Sequence, residues 1–193
     1  ALPIFSSALF ERTMLSSPKT STTLKEIVPD SDKVFKDKYV MEFIGSKDFP
    51  SENNMKSALV KQMKDFILEL GKDFIFIDQE YRLEVGHSDF RIDLLFYHRE
   101  LQCLVAFELK TDKFKPEYLG QLDFYLEALD RNVKKANENP SIGILLCKDK
   151  DDEVVEYALN RSLSPTMVAE YQLYLPDKKI LQLKLREIFD EII

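Results

Sequence analysis

Apolar residues recur at helical spacing shortly after residue 51 and predict the first regular element of the chain. The positions that share this spacing are Met55, Leu59, Met63, Phe66, Ile67 and Leu70. A period of three to four residues is typical of a helix with one buried face. Gly71 follows directly and predicts the end of this helix, because glycine readily adopts the backbone conformation found after a C-terminus.

Three strands are predicted next, because the pattern changes to short apolar and aromatic runs separated by polar turns. They cover residues 73–85, 91–97 and 103–109, and the first run is compatible with one long strand or two short ones. Gly86 to Asp89 predict the first turn, and residues 98–102 the second.

The second half of the sequence alternates between patterns typical of helices and patterns typical of strands. An apolar stripe after Pro116 predicts a helix, residues 141–147 a buried strand, Asp151 and Asp152 the cap of another helix, and residues 167–175 a strand. Apolar residues from Leu181 to Ile192 predict a terminal helix. This order predicts an α/β fold, with a mixed sheet flanked by helices.

Residues 1–50 lack this regularity. The segment 16–32 is rich in Ser, Thr and Pro and is interpreted as a linker, residues 10–16 as the end of a preceding helix, and residues 33–44 as a short helix closed by Gly45. We therefore predict that 1–50 are the end of an upstream N-terminal domain plus a linker, and that 51–193 form the main domain. The absence of methionine at Ala1 fits a fragment of a longer chain.

Composition excludes several classes of protein. The 193 residues include 45% hydrophobic residues, which is enough for a packed core. The formal charge of −7 argues against a basic coat on nucleic acid, although it permits a small basic patch. No apolar run approaches the roughly 18–20 residues of a membrane span. Cys103 and Cys147 lie in apolar runs and are interpreted as reduced thiols of a cytoplasmic protein.

Candidate chemistry lies on the hairpin formed by the second and third predicted strands. An antiparallel register that pairs Leu94 with Phe107 also places Asp93 opposite Glu108 and Arg91 opposite Lys110. It gathers Ile92, Leu94 and Phe96 on one face with Leu109, Phe107 and Val105. Shifting the sum of the paired residue numbers by two keeps the same faces and is also allowed, whereas a shift by one would mix apolar with charged side chains and is disfavoured.

Asp93, Glu108 and Lys110 are thus expected to lie close together on one face. Two neighbouring carboxylates repel each other, and a divalent cation such as Mg²⁺ or Mn²⁺ would compensate their charge. Lys110 could orient or help deprotonate a water beside that ion, and the carbonyl of Leu109 could face it. The alternative is a solvated ladder of surface ion pairs, but Asp93 interrupts an otherwise apolar strand.

These residues resemble a known superfamily. Asp93, Glu108 and Lys110, followed by a helix with Gln121 and Tyr125 one turn apart, resemble the PD-(D/E)XK nucleases, and the Gln–Tyr pair resembles their RecB-like branch. The core order αβββαβ is also similar to the restriction-endonuclease-like core. The long runs at 93–130 and 139–159 resemble the YhcG-type bacterial nucleases, whose C-terminal nuclease domain follows an N-terminal domain.

The resemblance implies hydrolysis of phosphodiester bonds in DNA with Mg²⁺ or Mn²⁺ as cofactor. It implies that Asp93 and Glu108 bind the metal ion, that Lys110 positions the nucleophile or stabilises the transition state, and that Gln121 and Tyr125 support the site or contact nucleic acid. One departure is Lys56, which occupies the place where many members have an acidic residue on the first helix. Glu52, one turn earlier, could substitute for it.

Several further assignments stay open in the sequence. Lys113 and Lys115 are candidates for phosphate contacts, and His98 for a structural or DNA-facing role. The main hypothesis is a bacterial, cytoplasmic, Mg²⁺-dependent deoxyribonuclease, with DNA as its partner and a homodimer as a possible assembly. The alternatives are a catalytically weak nucleic-acid-binding module and an assembly domain of a larger nuclease. The sequence does not separate DNA from RNA, or duplex from branched substrates.

Overall fold

The strands of the chain form one seven-stranded mixed sheet in a computed structural model, which describes residues 17–174, 182, 183, 186, 187, 189 and 190. The strands are β1 (Lys19–Thr20), β2 (Lys38–Val40), β3 (Phe74–Val85), β4 (Ser88–His98), β5 (Cys103–Lys113), β6 (Ile142–Asp149) and β7 (Thr166–Gln172). Their order is β1-β7-β6-β5-β4-β3, with β2 also paired to β7. β3, β4 and β5 pair antiparallel, whereas β5, β6 and β7 pair parallel.

Helices cover both faces of the sheet. They are α1 (Thr22–Ile27), α2 (Ser31–Val34), α3 (Glu52–Lys61), α4 (Met63–Leu70), α5 (Tyr118–Asn132) and α6 (Asp152–Leu159), with a 3-10 turn at Glu42–Ile44. Asp151 caps α6 as predicted, because its side chain accepts a hydrogen bond from the backbone N–H of Glu153 at 3.0 Å. From α3 to β6 the order confirms the predicted αβββαβ core.

The first predicted helix is divided into two. α3 ends at Lys61 and α4 begins at Met63, because Gln62 leaves the helical region with φ −117° and ψ 37°. Leu59 and Phe66, on either side of the break, are both fully buried. The apolar spacing continues across the break, so the sequence pattern does not reveal it. The predicted end is correct: Gly71 has a φ of 117° and its N–H donates to the carbonyl of Ile67 at 3.1 Å.

The segment interpreted as a linker is instead part of the sheet, which corrects the sequence-based picture of residues 19–44. β1 and β2 both pair with β7, and Leu24 and Tyr39 are fully buried in the core. Strands of two and three residues are too short to show alternation, which explains why the pattern gave no signal. The helix predicted at 33–44 is replaced by the short helix α2, strand β2 and the 3-10 turn. Residues 10–16 lie outside the described residues.

Two apolar layers lie on opposite faces of the sheet. One contains Met55 and Phe66 of α3 and α4 packed against Phe107, and the other contains Leu122 and Leu126 of α5. α5 approaches β6 closely at Gly143, where an added Cβ would lie 2.8 Å from Cγ of Leu122. Glycine is required there because any larger side chain would push α5 away from the sheet.

From Leu94 to His98 the β4–β5 pairing follows one of the registers that the alternation allows, but the predicted pairs Asp93–Glu108 and Arg91–Lys110 lie beyond the end of the pairing. Leu94 pairs with Phe107 and Phe96 with Val105, but the pairing ends at Leu94. Ile92 packs in the layer of α5 rather than with Leu94 and Phe96, contrary to the predicted alternation. β4 therefore changes its orientation at Asp93, the residue between them.

Two further predictions concern the ends of the chain and the membrane. Most of the predicted helix from Leu181 to Ile192 lies outside the described residues. Within the part of the chain that the structure describes, no helix is both long and apolar enough to cross a membrane.

Candidate active site

The candidate site lies where β4 and β5 stop pairing. The carboxylate of Asp93 accepts a hydrogen bond at Oδ2 from the backbone N–H of Leu109, at 2.9 Å. The backbone N–H of Asp93 lies 3.5 Å from Oε1 of Glu108. The side chains of Asp93 and Glu108 thus interact with backbone N–H groups where the two strands part. This arrangement fixes both carboxylates next to each other.

Glu108 is the most buried charged residue of the site, with only 3% of its surface exposed. Burial, and then the negative charge of Asp93, raise the pKa of the Glu108 carboxyl well above its usual range. Both causes mean that the ionised form is unfavourable in this environment. A cation bound at these carboxylates would reverse the second cause and offset the first.

Lys110 lies two residues after Glu108 on β5. Its ammonium group is 3.3 Å from Oε1 of Glu52 and 4.8 Å from the ring centre of Tyr118. Burial lowers the pKa of Lys110, but the neighbouring carboxylates of Glu52, Glu108 and Asp93 outweigh it, so that the net direction is upward. Lys110 is therefore protonated at neutral pH, which favours charge stabilisation over proton abstraction.

Lys56 and Glu80 complete the charged group, and the sequence did not identify Glu80. The ammonium group of Lys56 lies 2.9 Å from Oδ1 of Asp93 and also contacts the carboxylate of Glu80. Lys56 is only 8% exposed, although it is a lysine near the start of a helix. Glu80 is the last residue of the polar run 78–80, which interrupts β3 after an apolar run and is the sequence signal that could have drawn attention to it.

The helix α5 brings aromatic and amide groups to the site. Gln121 donates a hydrogen bond from Nε2 to Oη of Tyr125 at 2.6 Å. Burial raises the pKa of Tyr125, and the charges of Glu108 and Asp93 act in the same direction. Tyr118, also missed in the sequence, donates a hydrogen bond to Asp112 at 2.6 Å and faces Lys110.

The remaining predicted residues lie farther from the carboxylates. Lys115 forms an ion pair with Asp112 at 3.0 Å, so part of its charge is already compensated. Lys113 is exposed at the end of β5, where its backbone lies opposite that of Asp149 in the parallel pairing with β6. His98 is 2% exposed and accepts a hydrogen bond at Nδ1 from the N–H of Leu101. Its burial and its place at the opposite end of the β4–β5 pairing favour the structural alternative for His98 over the DNA-facing one.

The donors at the site fit a single hard cation. Asp93 and Glu108 supply carboxylate oxygens, which are the ligands that Mg²⁺ and Mn²⁺ prefer. Burial and the charge of Asp93 raise the pKa of the Glu108 carboxyl, so a nearby cation would favour its ionised form. Among the described residues, no group of three or more His, Cys, Asp or Glu side chains is arranged to hold a metal ion. A bound ion would thus need water or substrate oxygens as further ligands.

The fold and this carboxylate–lysine group define the class of the protein. Residues 32–186 match the family model described as "YhcG PDDEXK nuclease domain", and the chain belongs to this family. The chain is 38% identical over 175 residues to the Escherichia coli (strain K12) protein named "Putative nuclease YhcG". That match includes 88% of this chain but 46% of the relative, so the chain spans about half the length of the relative.

Solved structures were also found to be similar. One is a repair endonuclease from Pyrococcus abyssi, with 18% identity, a TM-score of 0.45 and coverage of 68% of this chain and 50% of that one. Another is EndoMS in its apo form, with 18% identity, a TM-score of 0.40 and coverage of 69% and 49%.

Proposed function

We propose that this chain hydrolyses phosphodiester bonds of DNA with the help of one bound Mg²⁺ or Mn²⁺ ion. The observation that supports this most directly is the juxtaposition of Asp93 and Glu108 where β4 and β5 part, with Glu108 buried and its pKa raised by burial and by the charge of Asp93. Such a pair is costly without a cation and is therefore a frequent feature of functional sites. When bound, the ion would polarise a phosphoryl oxygen and lower the pKa of a water.

The protein side chains have separate tasks in this proposal. Asp93 and Glu108, and the carbonyl of Leu109, hold the ion. The protonated Lys110 stabilises the negative charge that develops on the phosphate, because a buried ammonium group is weakly screened. Gln121 and Tyr125 hold each other on α5 and support this side of the site. Lys113 and Lys115, at and beyond the end of β5, are proposed to contact phosphates of the substrate.

The test is cleavage of plasmid, linear and branched DNA, and of RNA, in Mg²⁺ or Mn²⁺. We expect Asp93→Asn and Lys110→Gln each to reduce the cleavage rate about a hundredfold or more, the usual effect of losing one group that stabilises a transition state. The controls Asp89→Asn, on the exposed part of β4, and Lys61→Gln, on the exposed face of α3, should retain activity. Cleavage that survives in both site variants would refute the assignment.

One observation favours a second function, that of a catalytically weak nucleic-acid-binding module. Lys56 already contacts Oδ1 of Asp93 and competes with a metal ion for this oxygen. Calorimetric titration with Mn²⁺ separates the two functions. Binding that is lost in Glu108→Gln supports the nuclease, whereas absence of any binding by the unmodified chain supports the module. The homodimer, the cytoplasmic location and the upstream domain remain predictions.

A further inference from the structure

Lys56 is a buried lysine that lies between the carboxylates of Glu80 and Asp93, near the start of α3. It lies on α3 between Met55 and Leu59, both fully buried, and its own side chain is 9% exposed. Burying an ammonium group is costly unless its charge is compensated. Asp93 on β4 and Glu80 on β3 compensate it from two different strands. The contact is therefore built by the fold rather than by neighbours in sequence.

The backbone of β3 takes an uncommon conformation to place Glu80. The pairing of β3 with β4 shifts between Phe76 and Asp78, and after this shift Gln79 lies opposite Leu94 and Tyr81 opposite Ile92. Glu80 thus lies across from Asp93, and its φ of 51° is in the left-handed region, which residues other than glycine seldom adopt. Such a conformation persists where the surrounding contacts hold it.

The charges joined by contacts at the site do not balance. Glu52, Glu80, Asp93 and Glu108 contribute four carboxylates, whereas Lys56 and Lys110 contribute two ammonium groups. With all four carboxylates ionised, the remainder is two negative charges, which equals the charge of one divalent cation. Asp112 and Lys115 nearby pair with each other and leave this remainder unchanged.

Each carboxylate oxygen of Asp93 accepts one hydrogen bond and keeps a second lone pair for the single ion. Oδ2 accepts a hydrogen bond from the backbone N–H of Leu109 at 2.9 Å, and Oδ1 accepts one from Nζ of Lys56 at 2.9 Å. Two-metal sites need a carboxylate between ions about 3.5–4 Å apart. A second ion beside Asp93 would have to displace the ammonium group of Lys56, which is held by Glu80 as well.

We propose that Lys56 is a built-in cation of the site, which takes the place of a second metal ion beside Asp93 and Glu80 and restricts the site to one divalent cation. The inference rests on the proposed function and specifies its metal requirement. Lys56 acts through Asp93, so it is a positioning residue and not a catalytic one. Its pairing with Glu80 keeps Asp93 oriented when no ion is bound.

Counting bound Mn²⁺ by electron paramagnetic resonance and by calorimetry tests this proposal on the chain itself. We expect one Mn²⁺ per unmodified chain. Lys56→Gln keeps an N–H donor but removes the charge, and should tighten the first Mn²⁺ on the order of tenfold, because ammonium–ion repulsion is lost. Lys56→Glu should bind two ions, and their coupling should broaden the spectrum. Lys61→Glu, on the exposed face of the same helix, should bind one ion with unchanged affinity.

The outcomes separate this inference from the proposed function. Two ions bound to the unmodified chain would overturn the role of Lys56 and leave metal-dependent hydrolysis intact. No ion bound would overturn both. If Lys56→Glu does not fold, as judged by circular dichroism, Lys56→Gln decides alone. Unchanged Mn²⁺ affinity in a folded Lys56→Gln variant contradicts the proposal.

Discussion

Two places in the molecule bury a lysine against carboxylates, and they differ in how the charges balance. Lys150, after β6, lies 2.9 Å from Asp37, and both side chains are almost fully buried, at 2% and 1% exposed. Asp152 also contacts Lys150 but is largely exposed. The buried anion there contacts a buried cation directly, whereas the buried carboxylate of Glu108 forms no ion pair among the described contacts. The two buried charges of the first region compensate each other, and we propose that a cation from solution compensates Glu108 in the second.

This difference has a physical meaning for stability. Burial lowers the pKa of Lys150, but its contacts with Asp152 and Asp37 outweigh that effect, so the net direction is upward. The charged form is therefore favoured in the fold. The raised pKa of Glu108 means the opposite, namely that its charged form is disfavoured. We therefore expect loss of the charge of Asp37, beside Lys150, to destabilise the protein. We expect loss of the charge of Glu108 to stabilise the metal-free protein.

The largest expected effect on stability comes from breaking the ion pair of Asp37 with Lys150. Asp37→Asn removes the only buried anion beside Lys150 among the described contacts, and we expect a loss of about 3 kcal/mol in the free energy of unfolding, as for other broken buried pairs. Urea unfolding measures it. Asp152→Asn is the matched control and should cost clearly less, because its side chain is 58% exposed. A loss from Asp37→Asn no greater than that of the control would show that the pair is not needed for stability.

The next effect is stabilisation by the metal ion. Mn²⁺ at about a hundred times its dissociation constant should raise the free energy of unfolding by about 2.7 kcal/mol. The increase should be the same in the unmodified chain and in Asp37→Asn, since that residue is not part of the site. It should disappear in Asp93→Asn and Glu108→Gln. Thermal unfolding with Mn²⁺ or with a chelator measures both. An equal increase in all four proteins would place the ion elsewhere.

The sequence predicted the parts of this comparison that depend on regular patterns. The alternation on β4 and β5 limited the pairing to registers that keep the two faces, one of which pairs Leu94 with Phe107, because a slip of one residue would have mixed charged with apolar side chains. The same alternation placed Asp93, Glu108 and Lys110 on one face, and the resemblance then implied their roles. Mechanistic assignments to them remain proposals.

Irregular features could not be predicted in the same way. The contact of Glu80 with Lys56 depends on the shift in β3 between Phe76 and Asp78, which leaves no periodic signal. The break at Gln62 and the short strands β1 and β2 were missed for the same reason. The ion pair of Asp37 with Lys150 joins two segments far apart in sequence, so only the folded chain brings it together.

A smaller effect of opposite sign is expected at the site. Glu108→Gln should raise the free energy of unfolding of the metal-free chain on the order of 1 kcal/mol, the size of a common single-substitution effect. The amide removes a buried charge next to Asp93 and can donate to its carboxylate. Urea unfolding in a chelator at neutral pH measures this. Glu84→Gln, an exposed glutamate of β3, is a control for the loss of a carboxylate and should change stability little. Destabilisation by Glu108→Gln would mean that the site is balanced like the Lys150 region.

The smallest expected effect is the pH dependence of the difference in free energy of unfolding between Glu108→Gln and the unmodified chain. The pKa of Glu108 is higher in the folded chain than its ordinary value of 4.5, so the folded state binds this proton more tightly. Its contribution to stability is present at and below about 4.5 and is lost as pH rises through the raised pKa. The gain in free energy of unfolding from Glu108→Gln should therefore be near zero at pH 4.5 and grow towards neutral pH. The raised pKa of Lys150 places its titration above 10.5, outside this window. An advantage that is constant across the range would contradict an unfavourable charge on Glu108.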